Sequence, residues 1–99
     1  MERHPDSQRF HDIINECAAL HDAKQKDYGQ DSDPFANVNS SGEFGVEPWR
    51  GALIRANDKM TRLKTFAQKG NLTNESVEDS LKDLANYAII ALVLFEKEK

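Results

Sequence analysis

The chain lacks nearly every feature that would place it across a membrane, outside a cell or along a nucleic acid. Cys17 is its only cysteine, so no intrachain disulfide and no cysteine-based zinc site can form. The stretch Met1-Glu2-Arg3-His4-Pro5-Asp6-Ser7 carries no apolar run of the kind a secretory leader needs, so a cytoplasmic protein is expected. The longest apolar run, Tyr87 to Phe95, is far short of the ~20 residues of a spanning helix, and no membrane association is expected. A surplus of positive charge is also missing. Lys and Arg number 13 against 17 Asp and Glu, giving a formal charge of −4. That balance disfavours gripping a nucleic-acid backbone, although local basic stripes remain open. There is no Gly-x-Ser-x-Gly, no phosphate-binding glycine loop and no His-Glu-x-x-His. Covalent catalysis is therefore disfavoured, and attack by a metal-assisted water is the chemistry left open.

What is present reads as one all-α domain spanning residues 1–99, a small bundle of three main helices. The first is expected from Asp6 or Ser7 to about Asp27. Phe10, Ile13, Ile14, Cys17 and Leu20 make its apolar stripe, and Cys17 reads as a small core residue. Gly29 is a plausible left-handed stop. Residues 30–46 show no period and read as a long loop, with Phe35 and Phe44 as apolar anchors; a lid and a plain surface excursion both remain open. Pro48 is placed to start the second helix, with Trp49, Leu53, Ala56, Met60, Leu63 and Ala67 on its buried stripe and Gly70 as its end. The third is expected from Thr73 or Asn74 almost to the C-terminus, burying Val77, Leu81, Leu84, Ala88, Leu92 and Phe95. Its last half is apolar on every side, which two other short helices can hardly cover. A homodimer or higher oligomer built through this C-terminal helix is expected.

The residues that could carry chemistry sit on all three helices. Glu75, Asp79 and Asp83 follow at four-residue intervals, which on a helix puts them along one face about 6 Å apart. Acids near a helix start are mildly stabilising through the dipole, so a solvated acidic face is one reading. A site for Mg²⁺ (or Mn²⁺) is the other, because a hard cation needs only a few carboxylate oxygens and keeps waters for a substrate phosphate. Asp83 lies beyond the first two turns and is the acid that the dipole explains least. The second helix adds Arg55, Asp58, Lys59 and Arg62 on one flank, able to meet phosphates or simply to pair along their own helix. On the first helix the apolar line runs on through His21, Lys24 and Tyr28, with Glu16 and Asp27 at its edge. A lysine on a core-facing line must snorkel or find an anion.

Three segments in order resemble a known family: Lys24-x-x-Asp27-Tyr28-Gly29, then Leu53-Ile54-Arg55-Ala56-Asn57-Asp58-Lys59-Met60-Thr61-Arg62-Leu63, then Glu75 through Ala88 with its Asp79-Ser80-Leu81-Lys82-Asp83-Leu84-Ala85-Asn86-Tyr87-Ala88 core. The pattern is similar to the phage-borne family called nucleotide modification-associated domain 1, often labelled MazG-like. The resemblance covers roughly residues 20 to 95. It implies kinship with the all-α nucleoside triphosphate pyrophosphatases, oligomeric helical proteins that hold Mg²⁺ on Glu and Asp residues of neighbouring helices. It implies metal ligation by Glu75, Asp79 and Asp83, with Asp58 as a further ligand and Glu75 and Asp79 in the catalytic role. Lys24, Asp27, Tyr28, Arg55, Lys59, Arg62, Asn86 and Tyr87 would then meet the nucleotide and its phosphates, with Tyr28, Tyr87 or Trp49 packing on the base. One departure stands out. The Glu-x-x-Glu pair those enzymes carry on an earlier helix is missing, leaving Glu16 and Asp58 as single acids.

Three functions follow from this. The first is a Mg²⁺-dependent pyrophosphohydrolase of a phage or phage-like element, in the host cytoplasm, that cleaves a nucleoside triphosphate to the monophosphate and pyrophosphate. The second is a non-catalytic protein that binds or sequesters a nucleotide or a nucleotide-derived signal. The third is a helical oligomer that docks onto another protein.

Overall fold

A computed structural model shows three α-helices and a 3-10 turn, and the residues it describes are 2–28, 35, 38, 40–72 and 75–98. Helix α1 is Pro5–Tyr28, the 3-10 turn Ser40–Phe44, α2 Pro48–Lys69 and α3 Val77–Lys97. No strand occurs among the described residues, and no helix among them is long and apolar enough to cross a membrane.

Local chemistry explains the ends. Pro48 stands in the first turn of α2, where its missing N–H costs nothing. Gly70 closes the helix in the left-handed region (φ 80°) and donates its N–H to the Phe66 carbonyl at 2.7 Å. The third helix starts at Val77, later than the Thr73 or Asn74 read from sequence. Ser76 caps it, its hydroxyl oxygen accepting from the Asp79 N–H at 3.0 Å. Thr73, Asn74 and Gly29 lie outside the described residues.

The core lies between α2 and α3, where Ala52, Ala91, Leu94 and Val38 are buried and Trp49, Ile90 and Phe35 pack against them. Ala52 and Ala91 are small, so the helices approach closely. Trp49 meets Phe95 edge to face at 5.5 Å. Part of the expected loop thus belongs to the core: Val38 is buried in it, and Phe35 lies against the His21 ring at 5.5 Å. Phe44, expected as a second anchor, is 86% exposed. Most of the remaining 30–46 stretch lies outside the described residues, and so does any lid.

The buried lines differ from those read by apolar periodicity. On α3 the inward face carries Ser80, Asp83, Ala91 and Leu94, while Leu81 (51%) and Leu92 (57%) are exposed. On α2 Gly51 and Ala52 are buried and Ala56, Lys59 and Leu63 half-buried, while Leu53 and Met60 are exposed. Small and polar residues share the helix contact with Leu94, Trp49 and Ile90, while Leu53, Met60, Leu81 and Leu92 point out.

Helix α1 joins α3 differently. Its buried Cys17 lends its carbonyl to the Asn86 side-chain amide at 3.0 Å, Glu16 pairs with Lys82 at 2.9 Å, and Lys24 pairs with Asp83 at 2.7 Å. Alongside these tethers an open apolar slot of about 410 Å³ runs between the two helices, walled by Phe10, Ile13, Ile14, Ile89 and Val93.

Candidate functional site

Asp83 is the only carboxylate among the described residues that the fold buries (4% exposed). It sits on the inward face of α3 one turn after the buried Ser80, so its charge must be met by protein rather than water. Two lysines meet it. Lys24 of α1 reaches Oδ1 at 2.7 Å and Lys59 of α2 reaches Oδ2 at 3.0 Å. One carboxylate therefore ties all three helices together.

Lys59 has a second partner. It follows Ala52 and Ala56 on the face of α2 that meets α3, and its side chain is 18% exposed. Its ammonium lies 3.0 and 3.3 Å from the two oxygens of Glu75. Glu75 precedes the Ser76 cap and so stands outside the helix, folded back over its first turn. The Ser80 hydroxyl donates to Glu75 Oε2 at 2.9 Å, and Arg62 Nε, one turn beyond Lys59, lies 3.6 Å from the same oxygen. Glu75 thus reaches Asp83 through Lys59. The expected line of acids along one helical face is not what assembles the pair.

The electrostatics follow from these contacts. Burial works against the Asp83 charge, but the Lys24 and Lys59 hydrogen bonds outweigh it and hold the carboxyl below its ordinary value of 3.8. Burial likewise works against the Lys59 charge, and the Glu75 and Asp83 hydrogen bonds outweigh it, raising the ammonium above 10.5. Among the described residues three cations face two anions, one positive charge more than negative. Lys24 and Arg62, at 40% and 46% exposed, form the accessible rim over the more buried Lys59.

Of the residues singled out from sequence, the structure brings together Lys24, Lys59, Arg62, Glu75 and Asp83. Asp58, Asp79 and Arg55 are exposed and form no side-chain ion pair among the described residues. Asn86 is spent on the Cys17 carbonyl, an architectural bond between α1 and α3. Tyr87 is half-buried on α3, and Trp49 belongs to the core and donates its indole N–H to Glu47 at 2.7 Å. The side chains of Asp27 and Tyr28 lie outside the described residues. Sequence reasoning missed Ser80. Its signal was a small polar residue three positions before Asp83, on the same helical face.

The fit to a divalent cation can be tested on these contacts. Among the described residues no three His, Cys, Asp or Glu side chains converge on a point that could hold a metal. Two carboxylates do converge, and the Lys59 ammonium stands where they meet. The four-carboxylate set expected from sequence is not the arrangement found, because Asp58 and Asp79 do not join Glu75 and Asp83.

No curated protein and no solved structure matches the chain. One family model does. It covers residues 24–95, from the lysine that reaches Asp83 to the aromatic ring packed on Trp49. On that match, which spans most of its length, the chain belongs to the nucleotide modification associated domain 1 family.

Proposed function

We propose that the chain binds a nucleotide or nucleotide-derived small molecule through its phosphates, which sit against Lys24 and Arg62 with Lys59 beneath them. The carrying observation is the convergence of cations from α1 and α2 on two acids of the α3 region, with one more cation than acids among the described residues. The acids fix the lysines in place, so a phosphate meets pre-ordered donors and little side-chain entropy is lost on binding. Membership of a nucleotide-associated family supports the same ligand class. The protein acts in the cytoplasm, where such ligands are found.

Cleavage to a monophosphate and pyrophosphate is the second reading, supported by the pair of carboxylates at the centre of the cluster. Mg²⁺ can be held by as few as one or two carboxylates when substrate phosphates complete its shell. Glu75 and Asp83 would be those ligands. Their shared engagement by Lys59 makes binding the reading the geometry favours.

We also propose that the chain works as a homodimer. A folded monomer of 11.2 kDa is expected to expose about 5,700 Å² and to have a radius of gyration of about 12.6 Å. The chain exposes 7309 Å² with a radius of 15.2 Å. The excess of about 1,600 Å² per chain is what one subunit of an obligate dimer buries. Phe10, Ile14, Ile89 and Leu92, exposed along α1 and α3, are the surface a second copy covers. Light scattering should give twice the chain mass, and Ile14→Asp should return it to one; a wild-type monomer would remove this proposal.

A panel of ribo- and deoxyribonucleoside mono- and triphosphates tests the ligand. A ligand of the native state must raise the melting temperature by mass action. The reading expects a rise with at least one triphosphate, with the nucleotide recovered intact. Recovery as monophosphate and pyrophosphate would establish cleavage instead. No shift across the panel would remove both readings.

A further inference from the structure

We infer that Lys59 is a built-in cation standing in for a divalent metal between Glu75 and Asp83, so that this site takes its phosphate ligand without one. The phosphate half of this rests on the nucleotide reading above; the cation half rests on the contacts alone. Three carboxylate oxygens lie about the Lys59 ammonium, at 3.0 and 3.3 Å from Glu75 and 3.0 Å from Asp83. An ammonium carries three protons, so each oxygen can receive one. That matches what a small cation would receive from the same two side chains, with oxygen distances stretched from about 2.1 Å for Mg²⁺ to hydrogen-bond length.

Two features keep the lysine there. Its tether to α2 makes its capture intramolecular, so it competes at high effective concentration with any ion from solution. Its neighbours are also already committed, Glu75 Oε2 to the Ser80 hydroxyl and Asp83 Oδ1 to Lys24. A metal entering the point would have to expel a largely buried ammonium, whose protons would lose all three acceptors. The cation the site needs to hold its acids together is thus part of the chain. What remains for the ligand is the outward charge of Lys24 and Arg62.

The test titrates Mn²⁺ alone, with no nucleotide, into the full chain and its variants, read by electron paramagnetic resonance of the free ion. Wild type should leave Mn²⁺ free at millimolar concentration. Lys59→Gln removes the charge and leaves both acids facing one another, so it should take up Mn²⁺ at least tenfold more tightly than wild type. Adding Asp83→Asn to Lys59→Gln should abolish that gain. Lys59→Met serves in the same way should the glutamine variant fold poorly by circular dichroism. Stoichiometric Mn²⁺ uptake by wild type, lost in Asp83→Asn, would overturn the inference. So would folded Lys59 variants that bind Mn²⁺ no better than wild type. Failure of every nucleotide to bind would remove the proposed function yet leave the Mn²⁺ result to decide this inference by itself.

Discussion

Helix α3 is held on its two sides in opposite ways. Against α2 it packs through Ala52, Ala91 and Leu94, with Trp49 and Phe95 closing one end. Against α1 it is held by the Asn86 amide on the Cys17 carbonyl, Lys82 on Glu16 and Lys24 on Asp83, beside an open apolar slot. The first contact is a core and the second is a set of polar tethers. Apolar burial is non-directional and stabilises whatever excludes water, whereas tethers place particular atoms. The cluster sits where the two meet, so α2 supplies the fixed Lys59 and α1 the more exposed Lys24.

Substitutions that remove one side at a time sharpen this contrast. Leu94→Ala strikes the packed side, where the side chain is 3% exposed. It should cost about 4 kcal/mol in chemical denaturation, as buried leucine truncations do. Asp83→Asn strikes the cluster. Removing one partner of a buried pair costs about 3 kcal/mol, and here the loss falls on both flanking helices at once. Ser76→Ala removes only the cap of α3 and should cost about 1 kcal/mol. Lys82→Ala removes a solvent-facing tether and should leave the melting temperature almost unchanged in moderate salt. A Leu94→Ala loss smaller than that of Lys82→Ala would invert the contrast.

Titration isolates the charged cluster, because the apolar core beside it carries no ionisable group. The Asp83 carboxyl is lowered in the folded chain, so its contribution is present above its ordinary 3.8 and is lost as pH falls through the lowered value. The Lys59 ammonium is raised, so its contribution is present below 10.5 and is lost as pH rises through the raised value. Stability measured against pH should therefore fall at both extremes, and the acid limb should shrink in Asp83→Asn. An unchanged acid limb in that variant would show that Asp83 does not govern it.

The helices were legible in the sequence because their punctuation is local: Pro48 at a start and Gly70 at a stop need no partner to act. The inward faces were not. Apolar periodicity pointed to Leu53, Leu81 and Leu92, all of which are exposed, while alanine, serine and charged residues share the helix contact with Leu94, Trp49 and Ile90. Periodicity marks every face that prefers to leave water, including one a second subunit would cover, and cannot tell such a face from an internal contact. The cluster was half legible. Lys24 stood out as a lysine on an apolar line, and it does find an anion. Ser80 was overlooked as an uncharged residue, and Asp79 was included through the placing of the α3 start. Placing that start at Thr73 or Asn74 sets Glu75 on the helix in line with Asp79, whereas a start at Val77 leaves Glu75 outside it, folded back onto Ser80. A three-residue shift in a boundary decides whether a residue such as Glu75 lies on the helix at all, and boundaries are where sequence patterns are weakest.

Calorimetry of a nucleoside triphosphate, drawn from the melting panel, against wild type and against Lys24→Met with Arg62→Met bears most directly on the phosphate rim. With chelator present, the wild-type chain should bind and the double variant should lose at least tenfold in affinity while keeping its helical content. Equal affinity in the two proteins would place the phosphates elsewhere and contradict the account.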